Sequence, residues 1–203
     1  MTDTRERIVG TAFKLFMQKS FKEVTIKEIV EKTGVSQGAF FHYFKTKEDL
    51  FLEVIGKAVS SAGDYYNSLA KDSLQQFYRQ YIQSFLDNFL PEIISTEDGN
   101  SVMNYFSLYF EAVKIFPDFK RRLSDIHEIE LNSWKSVVSK ARANGEISSV
   151  MKDEEIANMF INSGDGLSLH IIYMGYSNED VKNMWIALWD GFYEVLKCKA
   201  DDY

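Results

Sequence analysis

Cysteine, proline and glycine are scarce in this chain, and each shortage excludes something. Cys198 is the only cysteine among 203 residues. An internal disulfide and a cysteine metal cluster are therefore ruled out, and a reducing cytoplasm suits the chain. Two prolines and eleven glycines are too few for a loop-rich or disordered protein. The first ten residues, MTDTRERIVG, are polar and charged, so no signal peptide is expected. No apolar run approaches the ~20 residues that span a bilayer. The three histidines, His42, His127 and His170, never stand three or four apart, which leaves a helical metal site without local support. A glycine-rich phosphate loop and an acid–histidine cluster are missing as well, so neither an enzyme nor a cofactor is expected.

Apolar residues are abundant. Hydrophobic side chains make up 45% of the chain and aromatics 15%, enough for a sizeable core. The net charge of −7 argues at first against nucleic acid, but it is unevenly spread. Residues 1–50 hold nine Lys/Arg and seven Asp/Glu, whereas residues 51–203 hold fourteen and twenty-three. The small positive excess lies at the N-terminal end, where phosphate contacts would use it.

Within that end, the stretch from Thr25 to Lys47 reads as two short helices around a tight turn, followed by the start of a third. Thr25 is placed to cap the first, with Glu28 at the reciprocal position and Val24 and Ile29 as a hydrophobic staple. Gly34 stops it in the left-handed cap conformation. Ser36 opens the next helix. Phe40 and Phe44 share its buried face, leaving Gly38, Ala39, Phe41 and His42 pointing outward. Between Gly34 and Lys47 there are two lysines and no carboxylate. A lean helix flanked by cations fits the DNA major groove. A plain helical hairpin with a solvated outer face fits the same pattern.

The stretch TIKEIVEKTGVSQGAFFHYFKTKEDL resembles the DNA-binding region of the TetR (tetracycline-repressor) family of bacterial transcriptional regulators. It matches the family pattern at Thr25, Ile29, Gly34, Val35, Ser36, Gly38, Phe44, Lys47 and Leu50. It departs at Val30 and Thr33, where alanine is usual, at Phe40, where leucine is usual, and at Phe41, where tyrosine is usual. His42-Tyr43 reverses the common Tyr-His order. The resemblance covers about a quarter of the chain. It implies an all-α fold of nine helices, with a helix-turn-helix DNA-binding domain over residues 1–48 and a helical effector-binding and dimerisation domain over 49–203.

The rest of the chain reads as helices. The first runs from Thr4 to Lys19, with Ile8, Ala12, Leu15 and Phe16 on one stripe. The fourth runs from Thr46 to about Leu69, capped by Thr46 with Asp49. Further helices are expected over 73–90, 101–116, 118–143 and 153–174, and from Ser177, as cap, to about Cys198. Pro117 starts one of these at a position proline tolerates, and Asn144-Gly145 stops it. Alternating strand patterns and internal repeats are absent from the sequence.

The expected function is a ligand-responsive DNA-binding regulator, a repressor, acting as a homodimer on a palindromic operator. Thr25 at a helix start, together with Tyr43 and Lys47, would hold phosphates, and Ser36 belongs to the same DNA-binding set. Lys47 sits in a first helical turn, where its own helix disfavours a cation, which suits a nearby phosphate. Gln37 would meet a base edge and Ala39 and Phe41 a thymine methyl, with Gly38 allowing close approach. His42 would reach phosphate or base. The dimer would use the last two helices. Met103, Phe106, Phe110, Trp134 and Tyr173 could line an effector cavity, with His127, Asn162, Asp165 or His170 as polar anchors. Each of these aromatics could equally be core. A helical adaptor that binds only protein is the alternative, with an all-helical enzyme behind it.

Overall fold

In the computed structural model, residues 4–89, 101–174 and 178–197 are described. Nine α-helices lie among them: α1 (Thr4–Phe16), α2 (Ile26–Thr33), α3 (Gln37–Tyr43), α4 (Lys47–Ser68), α5 (Leu74–Ser84), α6 (Ser101–Ile115), α7 (Pro117–Ala143), α8 (Asp153–Met174) and α9 (Asn178–Leu196). A π-helical segment, Phe85–Phe89, continues α5. The only strand-like pairing among the described residues is a single bridge between Ile147 and Lys197. The all-α architecture expected from the sequence is the observed one. The expected cap Ser177 and the expected helix end at Cys198 lie outside the described residues.

Helix starts and stops follow local chemistry. The Thr25 hydroxyl accepts the Glu28 amide at 3.1 Å, and the Ser36 hydroxyl accepts that of Ala39 at 3.1 Å. Thr46 and Asp49 complete a reciprocal box, with the Asp49 amide donating to the Thr46 hydroxyl at 3.0 Å and the Thr46 amide to the Asp49 carboxylate at 3.1 Å. Glu28 departs from the expected box. Its carboxylate takes the Lys19 ammonium at 2.6 Å, because an ion pair is a stronger partner than a neutral amide. Gly34 has φ 67° and ends α2 through its amide to Val30 O at 3.0 Å. α1 ends at Phe16, three residues before the expected Lys19.

Contacts divide the chain into two compact units, Met1–Ala62 with Ile93–Ser124, and Gly63–Glu92 with Asp125–Tyr203. The first unit is thus larger than residues 1–48. Its core stacks Phe16, Phe21, Phe51 and Phe116, with centroids of Phe21 and Phe51 4.7 Å apart and of Phe51 and Phe116 5.7 Å apart. Ile8, Ala12, Leu15, Ile29, Phe40 and Leu50 are buried around them.

The second unit is built on aromatic rings. Trp134 stacks on Phe160 at 5.0 Å, and Trp189 meets Trp134 at 5.3 Å and Trp185 at 5.4 Å. Gly164 makes this possible. A Cβ there would stand 3.0 Å from Trp189 Cζ2 and 3.3 Å from Trp185 Cζ2. Glu146 closes the start of α5 from a distance, accepting the Ser73 hydroxyl at 2.9 Å and the Leu74 and Gln75 amides at 3.1 Å each. A carboxylate suits that positive end of a helix.

Candidate nucleic-acid interface

α3 divides as its sequence requires. Phe40 and Phe44 point inward, 0% and 4% exposed, while Phe41 and Tyr43 are 45% and 38% exposed. Gln37, Gly38 and His42 are exposed and Ala39 is half-buried. Thr25 and Ser36, at the starts of α2 and α3, are exposed too. Two aromatic rings left partly in water are unfavourable for a free chain, and this face takes no part in the core. Nothing stands within 4 Å of a Cβ built on Gly38 except Ser36 Oγ at 3.9 Å. Packing within the chain therefore does not demand glycine there.

Lys47 sits differently from a free surface cation. Its ammonium donates to Phe21 O at 2.6 Å and Val24 O at 2.7 Å, and lies 4.3 Å from the centre of the Phe21 ring. It ties the turn before α2 to the start of α4, leaving one of three N–H groups. Arg5 pairs with Glu53 at 2.8 Å.

Residues 8–54 match the family model for bacterial regulatory proteins of the tetR family. The HTH-type transcriptional regulator YerO of Bacillus subtilis is 25% identical over 190 residues, covering 82% of this chain and 65% of YerO. The chain thus spans slightly less than two thirds of that relative. The HTH-type transcriptional regulator QacR of Staphylococcus aureus is 22% identical over 145 residues, 70% of this chain and 72% of QacR. Among solved structures, the reduced form of NemR from E. coli shares the fold with a TM-score of 0.71 at 18% identity, over 98% of this chain and 100% of NemR. Residues 8–54 thus carry the tetR-family DNA-binding region, and the chain shares the fold of solved TetR-family regulators.

That region is similar to the DNA-binding part of helix-turn-helix transcriptional regulators. Its relatives are regulators, not enzymes. Among the described residues, no helix is long and apolar enough to cross a membrane.

The residues expected to hold an effector fall into both units. Phe106 and Phe110 belong to the first, half-buried and 58% exposed respectively. The side chains of Met103 and Tyr173 lie outside the described residues. His127, Trp134, Asn162, Asp165 and His170 belong to the second. Trp134 is fully buried, whereas His127, Asn162, Asp165 and His170 are exposed.

Four residues absent from that expectation complete a polar cluster in the second unit. The Tyr66 hydroxyl donates to Glu130 Oε1 at 2.7 Å, and His127 Nδ1 stands 3.9 Å from Glu130 Oε2. Tyr65 donates to the Tyr81 carbonyl at 3.0 Å. The Tyr81 ring lies 5.9 Å from Tyr65 and 6.1 Å from Tyr66. Burial, aided by the Asp165 charge, pushes the Glu130 carboxyl up to about 7 against the pull of the Tyr66 hydroxyl. Burial also raises Asp165, against the nearby His127. Glu130 was legible as a member of the stripe His127, Glu130, Trp134, one face of α7 at helical spacing.

Proposed function

We propose that the protein represses transcription in the cytoplasm by binding a palindromic operator as a homodimer, and that a small molecule held in the helical second unit releases it. Residues 1–48 serve as the reading head and 49–203 as the effector-binding and dimerising part. In this reading α3 enters the major groove. Gln37, Ala39, Phe41 and His42 face base edges, while Thr25, Ser36, Tyr43 and Lys47 hold phosphates. Gly38 lets the helix backbone close on the DNA.

The observation that carries this is the split of α3, with Phe40 and Phe44 buried and Gln37, Phe41, His42 and Tyr43 outward. The dimer is supported by α9, which buries Val181, Trp185 and Trp189 but leaves Met184, Leu188 and Phe192 half-buried and Val195 exposed. Two copies joined there would present recognition helices about 34–36 Å apart, one turn of DNA. Gel-shift selection from random duplexes tests this. Enrichment of an inverted repeat with half-sites one helical turn apart is expected. Recovery of no preferred sequence at moderate salt would instead favour a helical adaptor that binds only protein.

A further inference from the structure

The outward face of α3 carries a narrow choice of side chains. Its seven residues, QGAFFHY, include no lysine, arginine, aspartate or glutamate. Arg5 and Arg7 are the only arginines in residues 1–78, and both stand on α1. The Arg5 guanidinium is held by Glu53 at 2.8 Å and lies over the Phe44 ring, 5.5 Å from its centre. Lys45 and Lys47 come after the helix, and Lys47 is bound to the carbonyls of Phe21 and Val24. The exposed groups of α3 are therefore the Gln37 amide, the Phe41 ring, the His42 imidazole and the Tyr43 phenol.

Phe41 is braced from behind. Its ring stands edge-to-face against the buried Phe40 ring, with centroids 5.4 Å apart and planes at 88°, yet the residue stays 45% exposed. It carries no group that can hydrogen-bond to a phosphate or a base. Gln37 stands four residues earlier on the same face, about 6 Å along the helix axis. Base pairs follow one another at about 3.4 Å, so the two side chains address positions one or two steps apart.

The chemistry of the major groove then sorts the bases. Guanine is matched by the cation of an arginine or lysine and the cytosine amino group by a carboxylate, and α3 has none of these. An amide such as Gln37 matches adenine, accepting from N6 and donating to N7, while an apolar ring matches the thymine methyl. His42 packs edge-to-face with the Tyr43 ring at 5.0 Å. A single bond from its imidazole to a purine N7 does not favour guanine, because adenine presents the same acceptor.

We infer that α3 reads A·T base pairs, with Phe41 sensing a thymine methyl group and Gln37 reading an adenine one or two steps away. The inference rests on the proposed entry of α3 into the major groove and assigns the class of bases it recognises there. Covering one methyl with a ring is worth a factor of about four in affinity, and a two-bond amide contact about tenfold or more. Phe41 senses the methyl and no other atom of the base, so 5-methylcytosine presents it with the same group.

Gel-shift selection with the full-length protein supplies the preferred duplex, and small chemical changes within that duplex test the inference. Replacing each thymine in turn by deoxyuridine, which lacks only the methyl, should weaken binding about fourfold at one position in each half-site. At that position Phe41→Ala, confirmed folded by its melting curve, should bind thymine and uracil alike. There the parent should also prefer 5-methylcytosine to cytosine, each paired with guanine, by about fourfold. Gln37→Ala should keep the uracil effect and lose the preference for adenine over a purine without the N6 amino group. Guanine selected at the positions that these two variants relax, uracil tolerated at every thymine, or methyl discrimination that persists in Phe41→Ala would each overturn the inference and leave DNA binding by α3 standing. Recovery of no preferred sequence refutes the DNA-reading proposal itself, and the assignment of bases falls with it.

Discussion

The backbone N–H of Phe21 donates to the carboxylate of Glu111 at 2.8 Å. One residue thus joins α6 to the corner between α1 and α2, ninety positions away in sequence. The Phe21 carbonyl is held in turn by Lys47. Replacing Glu111 by alanine leaves a part-buried amide unpaired, with an expected cost of about 1–2 kcal/mol. Hydrogen exchange should show the Phe21 amide losing protection, together with a lower melting temperature. An unchanged Phe21 exchange rate would show that the bond contributes nothing in solution.

Lys47→Ala should act on both folding and binding. Loss of two carbonyl contacts and of the ring beneath the ammonium should lower the melting temperature. If the remaining N–H meets a phosphate, operator and non-operator DNA should both bind more weakly, and the salt slope should fall by about one. Identical slopes for variant and parent would leave Lys47 a purely structural residue.

Gly38→Ala separates folding from recognition. No atom of the chain blocks the added methyl, and alanine favours a helix over glycine by about 1 kcal/mol. Stability should therefore hold or rise while operator affinity drops. Retained affinity, measured by gel shift, would remove the close approach of α3 to DNA.

Gly164→Ala should do the reverse. Its Cβ would meet the Trp189 and Trp185 rings at 3.0 and 3.3 Å, and overpacking of this kind costs about 1–3 kcal/mol. A denaturation midpoint equal to that of the parent would show that the indoles shift freely.

Glu130 gives stability a pH dependence. Its carboxyl titrates near 7 in the folded chain against an ordinary value of 4.5, so the folded state holds a proton that the unfolded state has lost. This contribution is complete below about 4.5 and disappears as pH rises through about 7. Glu130→Gln should flatten that part of the profile and be the more stable form at pH 8, by up to about 2–3 kcal/mol. Melting curves at pH 5 and pH 8 check the sign.

Much of this was readable from the residues. Caps at Thr25, Ser36 and Thr46, the stop at Gly34 and the inward pair Phe40 and Phe44 are local features, fixed by neighbours three or four positions away. Lys47 was harder. Its carbonyl partners lie 23 and 26 positions earlier, and only the folded turn brings them to the ammonium. The polar cluster was half visible. His127, Trp134 and Asp165 stood out by type, but Tyr65, Tyr66 and Tyr81 come from other helices, and no periodicity announces a meeting between helices. Glu28 shows a local rule losing to a distant charge, since Lys19 draws its carboxylate from the expected cap.

All three tryptophans of the chain, Trp134, Trp185 and Trp189, lie in the second unit, with neighbouring rings 5.3 and 5.4 Å apart. Light absorbed at the red edge of the protein band is therefore taken up in that one place, and emission carries no signal originating in the DNA-reading helices. The molecule has a built-in optical label around Tyr81, and anything that disturbs those rings should change its colour and brightness without any dye attached.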